Sequence, residues 1–239
     1  MKFVKEECDL GSCQFCKLCL KEWLPTIGSN RKTILYKKGE SIFSEGDRVT
    51  GMFFLLSGAV KLYKKWNDDK ELIVRFAKKG DIFGHRGLVD KAVYPISAIA
   101  LETLTVCFIE IDFFIASLKV NNEYSLQLIR YLSAELEESE NDMKNLAHMT
   151  VKGRVAFTLL KLEQQFGKTD KGNINIQISR QDIASFAGTT YETVFRTMDV
   201  FTKMEIIESM GRKIFIKNHQ ALINLTKEPI MSMVTSVVI

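Results

Sequence analysis

From about Thr33 to Ile111 apolar residues come in short runs, each closed by a turn residue. TILYKK ends at Gly39, SIFSE at Gly46 and MFFLLS at Gly58; AVKLYKKW, ELIVRFAKK before Gly80, ISAIA and LTVCFIEI follow. Several runs alternate, as in Val60-Lys61-Leu62-Tyr63, which gives a strand one inward and one outward face. Short β-rich runs with glycine turns and no helical period predict an antiparallel β-roll or barrel. Asp68-Asp69, between two such runs, predicts a hairpin turn.

The period then changes. Between Asn121 and Met149 apolar residues fall at Ile129, Leu132, Leu136, Met143 and Leu146, with Ser139 in the remaining position. Steps of three and four make a heptad seam, and Glu135, Glu137, Glu138 and Glu140 fill its flanks. Such a stripe either packs on its own domain or pairs with a second chain. A run of this length without Gly or Pro, leading out of a β-domain, favours a two-stranded coiled coil with another copy of the chain.

Beyond it, Val151–Phe166 repeats a helical pattern and stops at Gly167, and NINIQI alternates as a strand. SRQD supplies a helix N-cap, Ser179, with Asp182 three residues on. A short helix to about Phe186, the turn Ala187-Gly188-Thr189 and a helix from about Thr190 to Lys203 make a helix-turn-helix. IIESMGRKIFIK then predicts two strands around Gly211, a wing with Arg212 and Lys213 at its tip. The expected fold is α+β, with an N-terminal antiparallel β-roll, a long dimerisation helix and a C-terminal winged helix-turn-helix. The expected boundaries are a Cys-rich segment 1–26, β-roll 27–120, helix 121–149, winged domain 150–219 and tail 220–239.

Composition narrows the function. Hydrophobic residues at 46% and charged residues at 26% fit a folded globular chain rather than a disordered one. No run approaches 18 uncharged apolar residues, and MKFVKEECDL lacks an apolar core after its positive start. The sequence therefore argues against a membrane span and a secretory signal, and for a cytoplasmic location. The net charge of +4 is unevenly placed: residues 1–149 balance 21 Lys/Arg against 21 Asp/Glu, whereas residues 150–239 carry 12 against 8. That excess sits where a nucleic-acid surface would want it. The three histidines are dispersed, and no phosphate loop or nucleophile motif appears, so an enzyme is not expected.

In order, KKGESIFSEGD, FFLLSGAVKLYK, RFAKKGDIFG, ALETLTVCFIEI and QDIASFAGTTYETVFRTMDVF resemble the successive motifs of the CRP/FNR family of bacterial transcription regulators. The resemblance spans roughly residues 30–220. It implies a homodimer that binds a two-fold symmetric site in double-stranded DNA, answers to RNA polymerase and is controlled by its sensor domain. It places Arg196 and Glu192 at base-reading positions, with Phe195 where relatives often carry a smaller residue. Thr189, Thr190, Tyr191, Arg180, Arg212 and Lys213 complete the expected DNA surface. Glu192 and Arg196, four apart, share one helix face, where Arg can bond guanine and Glu can accept from cytosine N4. Glu192 also stands three residues after Thr189, the spacing of a capping box.

The resemblance also bears on the signal. Members that sense cyclic AMP carry a glutamate for the ribose and an Arg-Ser pair for the phosphate. Here His85 replaces the glutamate and Ile96 the arginine, leaving Ser97. An apolar side chain cannot neutralise a phosphate, which argues against cyclic AMP. His85, Arg86 and Ser97 remain candidates for another effector.

Four of five cysteines lie within CDLGSCQFCKLC. Cys13 and Cys16, with the distant Cys107, match the oxygen-responsive branch, which holds an iron–sulfur cluster. The third position of that pattern falls on Glu22, leaving Cys19 or Cys8 instead. An iron–sulfur cluster, and with it a redox, oxygen or nitric-oxide response, stays open beside zinc and inert thiols. Two other classes compete with a transcription regulator: an iron–sulfur electron carrier, and a ligand-binding module without DNA binding.

Overall fold

The computed structural model describes residues 2–3, 13–67, 70–89 and 92–228, so Asp68-Asp69 lies outside the described residues. The glycine-punctuated runs form two antiparallel sheets. The first has the order β1 (Lys2–Phe3), β2 (Arg31–Tyr36), β9 (Leu104–Glu110), β4 (Gly51–Ser57), β7 (Ile82–Phe83). The second runs β3 (Ser41–Phe43), β8 (Ser97–Ala100), β5 (Val60–Lys65), β6 (Glu71–Ala77). Phe43 of the second sheet meets Phe53 of the first at 5.5 Å between ring centres, so one core joins them.

MFFLLS does not alternate between buried and exposed because β4 is covered on both faces. Successive strand residues point oppositely. Phe53 stacks on Phe83 inside the roll. Phe54 turns the other way, onto Phe15 at 5.2 Å and Phe114 at 6.4 Å. Those two rings come from α1 (Gln14–Leu18) and α3 (Ile111–Val120). With α2 (Leu24–Asn30), these helices form an outer layer over the sheet, tied by Trp23 Nε1 donating to Ser117 Oγ at 3.0 Å. α3 follows β9 directly: in FIEIDFFI apolar residues continue on both sides of Glu110 and Asp112, and no Gly or Pro marks the boundary.

The helix α4 (Asn122–His148) follows, 27 residues or about 40 Å long. The chain divides within it into two compact units, Met1–Glu137 and Glu138–Ile239. The second unit continues with α5 (Val151–Phe166), α6 (Arg180–Ala187), α7 (Tyr191–Lys203), the hairpin β10 (Ile207–Met210) and β11 (Lys213–Ile216), and α8 (His219–Thr226). Its core gathers Val155, Leu159 and Leu162 from α5, Ile183 and Ala187 from α6, and Val194, Met198 and Phe201 from α7.

NINIQI is not a strand. Ile174, Ile176 and Ile178 are buried as the alternation requires, yet only an isolated bridge between Lys168 and Ile174 forms. Alternation determined which side chains enter the core, but the segment makes single backbone contacts, such as the Ile174 amide donating to the Ile214 carbonyl of β11 at 2.9 Å, rather than a continuous ladder. Among the described residues no helix is long and apolar enough to cross a membrane.

Candidate DNA interface and sensor site

Ser179 caps α6 through a reciprocal capping box with Asp182. Gly188 ends that helix at φ +60°, a left-handed conformation that favours glycine, and a Cβ there would stand 2.6 Å from Leu146 Cδ2. Leu146 therefore covers the turn. Arg154, absent from the sequence reading, fixes the same turn from α5: its guanidinium donates to the carbonyls of Ala187 (2.7 Å), Met149 (3.0 Å) and Gly188 (3.3 Å).

The N-cap of α7 is Thr190, whose hydroxyl accepts the Thr193 amide at 3.3 Å. The capping box between Thr189 and Glu192 is not formed, because the cap lies one residue later. Glu192 instead pairs with Arg196 at 3.0 Å, both side chains fully out in solvent. Val194, Thr197, Met198 and Phe201 face the core, which leaves Tyr191, Glu192, Phe195 and Arg196 on the outer face. These four line a shallow open depression of about 330 Å³. The Arg180 guanidinium carbon lies 5.4 Å from the centre of the Phe195 ring. Arg212 and Lys213 are exposed at the hairpin tip, beside Gly211 at φ +64°.

In the first unit the effector candidates are internally engaged. Ile96 is buried, and the Ser97 hydroxyl accepts the Glu45 amide at 2.9 Å. His85 is buried, with Nε2 3.0 Å from Glu135 Oε2, and Arg86 Nε donates to the same oxygen at 3.2 Å. Glu135 Oε1 is held by Arg75, which also reaches Asp81 at 3.3 Å. Glu135 had the look of a solvated flank of the heptads, but it is only 9% exposed and joins α4 to β6 and the loop after β7. Burial alone would raise its carboxyl. The His85 hydrogen bond and the charges of Arg75, His85 and Arg86 outweigh that and hold it at about 2.

Among the described residues the seam is largely open: Ile129 is 60% exposed, Leu136 61% and Met143 58%, with Leu132 and Leu146 near a third. Cys13, Cys16, Cys19 and Cys107 are buried in the β-roll core, while Cys8 lies outside the described residues. Burial, with Cys13 second, pushes the Cys19 thiol up to about 12, opposite to what a thiolate ligand needs. Among the described residues no three His, Cys, Asp or Glu side chains are grouped to hold a metal, so the thiols as placed do not fit a cluster.

A β-roll, a long helix with an uncovered apolar seam, and a winged helix-turn-helix with a charged outer helix face define a DNA-binding regulator with a sensor domain. The family model of the cyclic nucleotide-binding domain matches residues 33–121, and that of the Crp-like helix-turn-helix domain matches residues 153–225. The transcriptional activator protein anr of Pseudomonas aeruginosa is 30% identical over 182 residues, 75% of this chain and 74% of that protein. The fumarate and nitrate reduction regulatory protein of Yersinia pestis is 26% identical over 227 residues, 91% and 90% of the two. Among solved structures, FixK2 of Bradyrhizobium japonicum superposes with a TM-score of 0.73 at 27% identity, covering 82% of this chain and 96% of that one. The chain belongs to the CRP/FNR family; it is a transcription regulator with a Crp-like DNA-binding domain, not an enzyme.

Proposed function

We propose that this regulator works in the cytoplasm as a homodimer on a two-fold symmetric operator, with the outer face of α7 reading bases and the wing touching phosphate. The observation that carries this reading is the outward display of Glu192 and Arg196 on a capped helix whose opposite face is fully buried. The seam Ile129, Leu132, Leu136 and Met143 supplies the dimer contact, since three and a half residues per repeat keep it facing one partner helix. The operator-bound dimer then acts through RNA polymerase.

Leu132→Glu combined with Leu136→Glu sets like charges against their symmetry mates in an apolar contact. The double variant should sediment as a monomer and lose tight binding to a two-half-site operator. A wild-type chain that stays monomeric at micromolar concentration, with and without DNA, contradicts the seam.

Glu135 holds His85 and Arg86, and the buried Ile96 stands where a phosphate would need a cation, so the proposed signal is not cyclic AMP. Redox control is the finer reading the cysteines support. Cys13, Cys16 and Cys19 lie in the same buried core, and relatives carry names such as "Anaerobic regulatory protein". An iron–sulfur cluster would require a rearranged N-terminal segment that recruits Cys8 or regroups the buried thiols. Protein purified without oxygen should then show broad visible absorption that bleaches in air and is lost in Cys13→Ser and Cys16→Ser. Colourless, iron-free protein with undiminished DNA binding excludes the cluster.

A further inference from the structure

Phe195 is the residue on the outer face of α7 whose chemistry differs from its surroundings. It is 50% exposed, although a phenyl ring on an amphipathic helix would normally be turned into the core. The inward positions are already filled by Val194, Met198 and Phe201, so the ring has no place inside. Two neighbours fix it on the surface. The Arg180 guanidinium lies against it at 5.4 Å, and the Tyr191 ring stacks beside it at 6.5 Å with 24° between planes. Arg180 Nε is buried with no hydrogen-bond partner among the described residues, and its guanidinium faces the ring. The result is a preformed apolar wall of the depression whose polar side is the Glu192–Arg196 pair.

We propose that Phe195 is a specificity-determining residue that reads a thymine by its 5-methyl group, next to the bases read by Arg196 and Glu192. This rests on α7 being the helix that enters the major groove. There, thymine is distinguished by its methyl, the one apolar group on a base edge, which makes apolar contacts with side chains such as Phe. A base edge carrying a methyl beside a donor or acceptor suits a depression that is aromatic on one side and charged on the other. Cytosine at the same place would offer an amino group to a ring that cannot accept it in the plane. Arg180 contributes doubly, since it holds the ring and brings positive charge towards the backbone.

The test uses the full-length protein and its best operator, selected from a random pool. Each thymine of the half-site is replaced in turn by deoxyuridine, symmetrically in both halves, which removes only the methyl. Loss of one buried methyl corresponds to about fourfold weaker binding per half-site, hence about fifteenfold for the pair. One thymine position should show that loss with wild type and with Phe195→Leu. Phe195→Ser, at an exposed site where folding is not at stake, should bind thymine and deoxyuridine operators equally. Phe195→Ser with the full methyl effect, or wild type with none at any position, overturns the proposal. If Arg196→Ala still abolishes one base preference in those cases, the recognition helix stands and only the role of Phe195 falls. Should neither variant alter any preference, the reading of α7 falls with it.

Discussion

Arg196→Ala should weaken binding to the best operator by about 2–6 kcal/mol per dimer. A bidentate arginine contact discriminates bases by about 1–3 kcal/mol, and two-fold symmetry makes each substitution act twice. Among the described residues Arg196 is tied to Glu192 at 3.0 Å, in an exposed pair worth little by itself, so the guanidinium can turn to a guanine edge. The variant should also lose preference at one symmetric base position while its fold is unaffected. Arg212→Ala, at the wing tip, should instead weaken every sequence alike and reduce the salt slope, as a phosphate contact does. Sites selected from a random pool, with affinities measured at two salt concentrations, separate the two outcomes. Uniform weakening by Arg196→Ala would place that residue on phosphate.

Removing the Glu135 carboxylate should have the largest effect on stability. Glu135→Ala leaves Arg75 and Arg86 without their common counter-ion and the buried His85 ring without its hydrogen-bond partner, and breaking a buried pair costs about 3–5 kcal/mol. The pH dependence follows from the depressed carboxyl. Its folded value of about 2 lies below the unfolded value near 4.5, so its contribution is complete above pH 4.5 and is lost as pH falls towards 2. That difference amounts to about 3 kcal/mol. Chemical denaturation between pH 7 and pH 3 should show wild type losing stability on the acid side more steeply than Glu135→Gln. Millimolar cyclic AMP should leave the melting temperature of wild type unchanged. Equal acid limbs would contradict the role of Glu135, and a saturable shift with the nucleotide would contradict the exclusion of cyclic AMP.

The parts of this molecule that depend on neighbours in sequence were legible from the start. The β-roll runs, the α5 end at Gly167, the Ser179 cap and the wing around Gly211 are local signals, each a few residues long. What was not legible depends on distance. Glu135 stands in an acidic stretch and looks solvated, and only Arg75 and His85, 60 and 50 residues away, reveal that it is buried. Arg154 likewise finds its acceptors 33 and 34 residues on, across the turn. Thr189 and Thr190 both satisfy the local capping rule, and the turn geometry selects the second. NINIQI shows the converse limit: alternation predicts burial, but whether single contacts with β11 extend into a ladder is not set by any local pattern.

Sedimentation of the protein on its own selected operator tests the central claim most directly. The account predicts a two-fold symmetric sequence bound by two chains per duplex, with the complex reduced to weak, salt-sensitive association in the Leu132→Glu, Leu136→Glu variant. One chain bound per asymmetric site, or no sequence enriched from the pool, would contradict it.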